Sequence, residues 1–419
     1  MLRCLVPLVF TCSLGAWTDD ETLDKKAINK LVEEYFEHDW KSPEGIAAHR
    51  KIIARLDGLP KLSARESKSW RKSLLKVWSR GPKLSKKSGT HHLWEEEERG
   101  LFILGGKSKK AKGLFIGMHG GGLGSGEARS SYEAFGSAAS GQKWYAIFPE
   151  VLVKTELGWT DSGTEEFVME LVERARRTGK IDPDRVYFGG HSMGGYGSWT
   201  LGAHHADEIA GLTPSAGAPT PILEGEEVID IVEGVVPNLR NVAMVIFQST
   251  DDPRVPPEAN RMAVQKLKEA QERWGGYDFE YWEVTDNAHN LPPGGAEALL
   301  EKIGGKVRNP HPERVVWQPA IDWKRQFYWL FWDEPKLGRE VVADLDRADN
   351  TVSVTTKAPL GGLHVLLSDD VVDMKKEVVV LVNGVEHYRA IPERSLATLL
   401  MTGRYGDARR TYDARIPLF

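Results

Sequence analysis

The chain has 419 residues, of which 41% are hydrophobic and 27% are charged, and its formal net charge is −5. This composition provides enough apolar side chains for a folded core and excludes a disordered or collagen-like chain. A chain so close to neutral also lacks the basic surface that nucleic-acid-binding proteins need, so no nucleic-acid partner is expected.

The first sixteen residues differ from the rest of the chain. Arg3 precedes an apolar run over residues 4–14, and the small residues Gly15 and Ala16 follow that run. This pattern is typical of a secretory signal peptide, and the run is shorter than the roughly 20 residues of a membrane-spanning helix. We therefore expect residues 1–16 to be a signal peptide and the protein to be secreted or periplasmic, with no integral membrane segment. The only cysteines, Cys4 and Cys12, would be removed together with the signal peptide. The alternative is an uncleaved N-terminus that packs on the folded protein.

Residues 17–88 are rich in charge and carry apolar side chains at helical spacing. Three helices are predicted, over residues 23–35, 46–56 and 70–78. We expect this helical N-terminal region to pack against the domain that follows it. A lid or an oligomer contact is the alternative.

Residues 89–308 alternate between short apolar segments and helical stretches. The predicted strands are Gly100–Leu104, Gly113–Met118, Trp144–Phe148, Arg185–Phe188, Ile209–Leu212, Val242–Phe247 and Phe279–Val284, with helices that include Glu165–Arg177 and Glu258–Trp274. Such alternation favours an α/β fold, a mostly parallel sheet with helices on both faces. Strands that are apolar throughout, such as Val242–Phe247, agree with a sheet buried on both sides.

Residues 309–419 are predicted to form a small β-rich C-terminal domain. Strand candidates include Thr351–Thr356, Leu363–Leu367 and Val378–Val382, the last followed by an Asn-Gly turn. The start of this region is crowded with aromatic residues, among them Trp317, Trp323, Trp329 and Trp332. Core packing is the favoured interpretation, and a sugar- or polymer-binding platform is the alternative.

A nucleophile motif follows one of the predicted strands. The sequence GHSMG at residues 190–194 places Ser192 between a strand and a helix-compatible stretch. In this context a GxSxG motif forms a sharp turn that presents the serine hydroxyl at the carboxyl edge of a sheet. A turn serine that caps a helix is the structural alternative.

A serine hydroxyl is a weak nucleophile and needs a base with an orienting acid, which follow in the order serine, acid, histidine on such folds. Asp252 comes after the strand Val242–Phe247, and His289 comes after the next strand. The neighbouring Asp251 is an alternative acid, and Asp286 is a weaker one. The predicted catalytic residues are thus Ser192, Asp252 and His289.

Acyl transfer also needs backbone N–H groups that stabilise a developing oxyanion. Met193, directly after the serine, is one predicted donor, and a glycine of the sequence HGGG at residues 119–122 is the second. We expect Gly121 to provide it, with Gly120 next. The same glycine loop superficially resembles a dinucleotide-binding turn, but it lacks the GxGxxG spacing.

Two further side chains are predicted to contact the substrate. Trp159 lies in a loop after the strand that ends near Val153, where loops frame the pocket of an α/β sheet. His119 begins the glycine loop. The adjacent histidine pairs at 91–92 and 204–205 have no acidic or cysteine cluster beside them in sequence, so no metal site is predicted.

These motifs resemble the α/β-hydrolase superfamily. HGGG at 119–122, GGHSMGG at 189–195, TDDPRVP at 250–256 and NAHN at 287–290 are similar to secreted serine esterases related to poly(3-hydroxybutyrate) depolymerases and feruloyl esterases, and to the prolyl oligopeptidase and dienelactone hydrolase branches. The resemblance covers about residues 90–305. It implies Ser192 as nucleophile, Asp252 as acid, His289 as base, and Met193 with Gly121 as oxyanion donors.

The sequence therefore predicts a secreted carboxylic ester hydrolase that forms an acyl-enzyme on a small or polymeric ester and needs no cofactor. A prolyl oligopeptidase-like peptidase would use the same triad, but no propeller-like repeat precedes the catalytic region. A non-catalytic binding protein on the same fold is the third hypothesis.

Overall fold

The computed structural model describes residues 23–107, 109–179 and 181–419. The predicted signal peptide, with Cys4 and Cys12, lies outside these residues. Among the helices described, none has the length and apolar character needed to cross a membrane.

Three helices open the described chain: α1 (Lys25–Glu37), α2 (Pro43–Asp57) and α3 (Ala64–Trp78). Each begins at a polar cap, because the Asp24, Ser42 and Ser63 side chains accept backbone N–H groups of the following first turn. The helices therefore start earlier in α2 and α3 than their apolar spacing predicts.

Strands and helices then alternate. In chain order the elements are β1 (Gly89–Trp94), β2 (Arg99–Gly105), β3 (Leu114–Met118), α4 (Ala128–Gly141), β4 (Tyr145–Pro149), α5 (Thr164–Thr178), β5 (Val186–His191), α6 (Met193–His204), β6 (Gly211–Ser215), β7 (Pro221–Glu224), β8 (Glu227–Ile231), β9 (Ala243–Ser249), α7 (Glu258–Trp274), β10 (Phe279–Val284) and α8 (Gly295–Ile303).

Eight of these strands form one sheet in the order β1-β2-β4-β3-β5-β6-β9-β10. Strands β4, β3, β5, β6, β9 and β10 are parallel to one another, and β2 is antiparallel to both of its neighbours. The carboxyl ends of the parallel strands consequently meet at one edge. The loops after β3, β5, β9 and β10 share that edge, and they carry the predicted site residues.

The rest of the chain is mostly β-structure: β11 (Arg314–Trp317), β12 (Gln326–Phe327), β13 (Leu330–Trp332), β14 (Val341–Asp346), β15 (Thr351–Thr356), β16 (Leu363–Leu367), β17 (Val378–Val382), β18 (Val385–Ala390), α9 (Leu396–Gly403) and β19 (Ala414–Leu418). These strands form a five-stranded sheet, β11-β14-β15-β17-β18, and a four-stranded sheet, β12-β13-β16-β19. Asn383 and Gly384 connect β17 to β18 with φ of 48° and 81°, the backbone that a tight hairpin turn requires.

The N-terminal helices pack mainly on the C-terminal region. Leu31, Val32, Ile52, Leu56 and Leu74 form one apolar cluster with Leu396, Leu399 and Leu400 of α9. Helix α3 also contacts the domain that follows in sequence, as predicted, because Trp78 Nε1–H donates to Glu173 of α5 at 3.0 Å. The packing on α9 was not predicted. The partner helix lies more than 300 residues away along the chain, where local sequence patterns give no information about it.

The aromatic residues near position 320 belong mostly to the core. Trp317, Trp329 and Trp332 are at most 1% exposed and join a cluster that extends into the central α/β region. Buried indoles cannot bind a polymer, so these three tryptophans do not form the alternative binding platform. Because this core is continuous, the predicted boundary at residue 308 marks a change of architecture and not a gap in packing.

A buried network of ion pairs also joins the two regions. Arg410 contacts Asp207 and Glu208, and Lys324 lies 2.8 Å from Asp207 and 2.6 Å from Glu208. Arg308 lies 2.7 Å from Asp184 on the neighbouring loop. Each charge in such a network depends on its partner, since an unpaired buried charge is costly.

Replacing Arg410 by methionine is therefore expected to lower the free energy of unfolding by about 3–5 kcal/mol, because Asp207 and Glu208 then share Lys324 as their closest cation and buried negative charge is left uncompensated. Urea unfolding followed by circular dichroism measures the change. Arg389→Met is the control, since the Arg389–Glu386 pair is about half exposed on both sides and should contribute less than about 1 kcal/mol. Equal losses in the two variants would contradict a structural role for the network.

Candidate active site

The turn after β5 holds Ser192 in an unusual backbone conformation. Its φ is 61° and its ψ is −125°, which non-glycine residues rarely adopt. The backbone segments around this turn are so close that glycine is required on either side of Ser192. A Cβ atom at Gly194 would lie 2.1 Å from the Met118 carbonyl oxygen, and a Cβ atom at Gly190 would lie 2.5 Å from the Gly194 carbonyl oxygen. Helix α6 begins immediately afterwards at Met193. The geometry is that of a nucleophile elbow at the carboxyl edge of the sheet.

Asp252 and His289 form a direct contact at the same edge. His289 Nδ1 lies 2.7 Å from Asp252 Oδ2. The side chain of His289 is 12% exposed, and that of Asp252 is 0% exposed. The other carboxylate oxygen, Oδ1, accepts the backbone N–H groups of Arg254 and Val255 at 2.9 Å each. These two donors fix the carboxylate so that Oδ2 faces the imidazole. An ionised carboxylate accepts only, so His289 Nδ1 carries the hydrogen and Nε2 has a free lone pair.

The adjacent Asp251 faces the histidine loop instead of the histidine ring. Its Oδ1 accepts the backbone N–H groups of Asn287 and Ala288 at 3.2 Å each, and its carboxylate also accepts the Ser249 hydroxyl. The Ser249 hydrogen bond, ahead of the two amides, lowers the pKa of Asp251. Asp251 thus ties the end of β9 to the residues just before His289. Of the three acids considered, only Asp252 bonds to the His289 ring in the described structure.

Ser192 lies beside this pair. The ring centroids of His191 and His289 are 4.8 Å apart, so the imidazole of His289 is next to the residue that precedes Ser192. Within the described residues, the Ser192 hydroxyl and His289 form no hydrogen bond. Such bonds are often long in hydrolases without substrate and shorten when it binds. The structure brings Asp252 and His289 into contact and places Ser192 at the adjoining turn.

His191 is a neighbour of the site that the sequence analysis did not single out. Burial, together with the nearby His289, lowers the pKa of His191 to about 4. Its Nδ1 lies 3.1 Å from the Ser215 hydroxyl at the end of β6. An imidazole that is neutral at pH 7 adds no competing charge beside His289. The only indication in the sequence that His191 lies near the site is its position within the GHSMG motif.

The glycine loop lies directly against the serine. A Cβ atom at Gly120 would be 3.1 Å from Ser192 Cβ, and one at Gly121, where φ is 132°, would be 2.5 Å from the Ser125 carbonyl oxygen. Met193 is the first residue of α6, so its N–H has no partner inside the helix. The three predicted donors are therefore close to Ser192. Their contact with a substrate oxygen stays a prediction.

His119 supports this loop from behind. It is 1% exposed. Burial lowers its pKa, although its hydrogen bond to Gly120 acts in the opposite direction and raises it. The neutral ring has Nδ1 2.7 Å from the Gly120 carbonyl oxygen, to which it donates, and Nε2 accepts the Val151 N–H at 3.2 Å. Both ring nitrogens are thus occupied by the protein.

Trp159 also lies behind the loop. It is 0% exposed, its Nε1–H donates to the His119 carbonyl oxygen at 3.2 Å, and the two rings are 4.9 Å apart. This differs from the predicted roles of Trp159 and His119 in substrate binding, because neither ring offers an open face. A loop position after a strand indicates nearness to the pocket, but it does not fix the direction of a side chain.

The strand order, with its antiparallel second strand, and the elbow after the fifth strand define the chain as an α/β-hydrolase fold. Its sheet has the arrangement that the sequence motifs predicted, and that prediction of fold class is confirmed.

Comparisons with known proteins give a distant likeness. No protein-family model and no curated protein matches the chain. Among solved structures, a thermostable esterase shares 18% identity over 53% of this chain and 63% of its own, with a TM-score of 0.39. The chain therefore spans less than two thirds of that esterase. A phospholipase/carboxylesterase from Dyadobacter fermentans shares 15% identity over 52% of this chain and 99% of its own, with a TM-score of 0.39.

A ferulic acid esterase from the anaerobic fungus Anaeromyces mucronatus shares 16% identity over 53% of this chain and 91% of its own, with a TM-score of 0.38. At TM-scores below 0.5, these structures do not indicate a substrate. The class of fold rests on the strand order and the elbow.

Proposed function

We propose that the protein is a serine hydrolase of carboxylic esters. The main support is the buried contact between Asp252 and His289, 2.7 Å long, at the sheet edge where the elbow presents Ser192. A buried acid that orients a histidine beside a strained serine is the arrangement that acyl transfer requires.

In the proposed reaction, His289 Nε2 takes the proton of the Ser192 hydroxyl as Oγ attacks the ester carbonyl carbon. The tetrahedral oxyanion is stabilised by the N–H groups of Met193 and Gly121, with Gly120 as the neighbouring donor. When the intermediate collapses, the bond to the alkoxy oxygen breaks, and His289 returns the proton to the leaving alcohol. Water then repeats the cycle on the acyl-enzyme and releases the acid. Asp252 keeps the imidazole in the tautomer that this proton transfer needs.

A fluorophosphonate probe tests the nucleophile directly. Attack by Ser192 Oγ on phosphorus displaces fluoride and leaves a stable phosphonyl ester on the serine. We expect mass spectrometry of a proteolytic digest to find the label on the peptide that contains Ser192, and heat-denatured protein to remain unlabelled. A label on another serine would contradict the assignment.

The substrate class needs a panel of substrates. We propose that short p-nitrophenyl esters, a feruloyl ester and a polyester include at least one substrate, and that an aminoacyl-proline amide is turned over much more slowly. Turnover of the amide alone would favour the peptidase hypothesis.

Export of the protein is also part of this proposal. It is tested by N-terminal sequencing of protein recovered outside the cytoplasm.

Asp251 is expected to affect activity through the histidine loop. Asp251→Ala removes the acceptor of the Asn287 and Ala288 N–H groups, so His289 should be held less firmly, and kcat should fall by about tenfold to a hundredfold. Asp251→Asn keeps an oxygen at that position and should restore most of the rate. Steady-state kinetics on a p-nitrophenyl ester measures both. A rate for Asp251→Ala that equals wild type would show that these hydrogen bonds do not position His289.

A further inference from the structure

A cavity lies away from the candidate active site. Its volume is about 320 Å³, and it is lined by the segment after α1, by α5, and by residues near positions 323 and 404 of the C-terminal region. A volume of this order is at the lower end of the range for small-molecule sites. His205, which lines it, directly follows α6, whereas Ser192 precedes α6. Twelve helical residues span about 18 Å, so the two sites are at opposite ends of that helix.

Two cations in this cavity lack carboxylate partners. Among the described residues, neither Lys41 nor Arg404 has an acidic oxygen within ion-pair distance, although most buried cations of this protein do, such as Lys324 at 2.6 Å from Glu208. Burial lowers the pKa of Lys41, while the more distant Glu166 and Glu170 raise it. Both cations therefore keep their capacity to bind an anion.

Aromatic rings hold these cations in place. The Arg404 guanidinium carbon lies 3.9 Å from the centroid of Trp40 and 4.8 Å from that of Tyr405, and Lys41 Nζ lies 5.1 Å from Trp40 and 5.7 Å from Trp323. A guanidinium that is stacked on an indole keeps its N–H groups free in the plane, where they match the two oxygens of a carboxylate. The Trp40 and Trp323 rings, 5.5 Å apart, add apolar surface beside the cations.

Acidic residues also line the cavity, and some of them already have partners. Glu170 is paired with Arg174 at 2.6 Å, and Asp39 accepts the backbone N–H of Lys41 at 3.0 Å. A cation would also approach Arg176 and Arg177, which line the same cavity. Glu37 and Glu166 also line the cavity without an ion pair among the described residues, but of the unpaired groups only the cations Lys41 and Arg404 are stacked on aromatic rings.

We propose that this cavity is a binding site for a small organic acid, a carboxylate attached to a flat ring. Arg404 and Lys41 bind the carboxylate, and the Trp40 and Trp323 rings contact the ring of the ligand. His205, whose Nδ1 is buried without a hydrogen bond among the described residues, offers a partner for a hydroxyl substituent. Because the site is built from the N-terminal helices, α5 and the C-terminal region, the bound ligand would link these three parts. The proposal does not depend on the proposed function.

Calorimetric titration of the full chain with 4-hydroxybenzoate tests the site. We expect saturable binding with one site per chain, and at least tenfold weaker binding of 4-hydroxybenzyl alcohol, which lacks the carboxylate, and of acetate, which lacks the ring. The ligand should also raise the melting temperature, since it binds only the folded state. No binding of 4-hydroxybenzoate, or equal binding of the three compounds, would overturn the proposal.

Variants locate the ligand. Lys41→Met should weaken binding of 4-hydroxybenzoate at least tenfold, whereas Lys41→Arg, which keeps the charge, should bind within a few-fold of wild type. The exposed Lys51 of α2 supplies the control Lys51→Met, and the melting temperature without ligand shows that each variant is folded. Ser192→Ala should bind as wild type does, which separates this site from hydrolysis. Unchanged binding by folded Lys41→Met would overturn the proposal.

Discussion

Replacing Ser192 by alanine is expected to reduce kcat for a short p-nitrophenyl ester by about a millionfold, because the nucleophile, acid and base of a serine hydrolase act as a unit. The variant keeps the glycine loop and the Met193 N–H, so a small rate above that of water should remain. The backbone at residue 192 has φ of 61°, which alanine also adopts with strain, so folding should be little affected.

The measurement is a comparison of purified wild-type and variant proteins in the same p-nitrophenyl acetate assay. Ser137→Ala is the matched control, since this serine is exposed on α4 and should leave kcat within twofold of wild type. Circular dichroism and the melting temperature show whether Ser192→Ala is folded. Equal turnover by wild type and Ser192→Ala would remove Ser192 as nucleophile and favour a non-catalytic role for the fold.

Much of the central fold could be predicted because its signals are local. The bounds of α7 and of β15, β16 and β17 equal the predicted ones, since each has a regular apolar pattern between turn residues. Strand β1 and the hairpin β7–β8 were not predicted. They lie at an edge or outside the main sheet and bury at most one residue each, so their apolar periodicity is weak.

The site residues could be placed for a topological reason. Loops that follow parallel strands meet at one edge, so the order serine, acid, histidine along the chain was enough to predict that Asp252 and His289 would be neighbours. The identity of the acid was less certain in sequence, because Asp251 and Asp252 are adjacent. The structure distinguishes them by hydrogen bonds to residues 254–255 and 287–288, which depend on the folded loops.

Side-chain direction could not be predicted in the same way. Trp159 occupies a loop at the correct edge, yet it is fully buried, because Gly197 of α6 leaves space for its ring: a Cβ atom there would lie 2.6 Å from the indole. The cavity lined by Lys41 and Arg404 could not be predicted from the sequence either. Lys41, Trp323 and Arg404 come from three segments that are distant in sequence, and only the folded structure brings them together.

Asp252→Asn is expected to lower kcat by about ten-thousandfold, the second largest effect. The reason lies in the two oxygens of the carboxylate. Oδ1 accepts the N–H groups of Arg254 and Val255, so an asparagine must place its oxygen there and its NH₂ group toward His289. The imidazole Nδ1 then has to accept a hydrogen bond, which moves the ring hydrogen to Nε2. In that tautomer, Nε2 of His289 has no lone pair, and it cannot take the serine proton.

The same substitution at the adjacent position is the matched control for this effect. Asp251→Asn can still accept the Asn287 and Ala288 N–H groups through its amide oxygen. Because a hydrogen bond contributes about 1 kcal/mol, the kcat of this variant should stay within about tenfold of wild type. Both variants lose one negative charge from neighbouring residues, so a general electrostatic effect would slow them alike. A thousandfold or larger difference between them shows that the geometry at Asp252, and not the charge of the loop, sets the tautomer of His289. A greater loss in Asp251→Asn would instead make Asp251 the orienting acid and would require the histidine loop to rearrange when substrate binds.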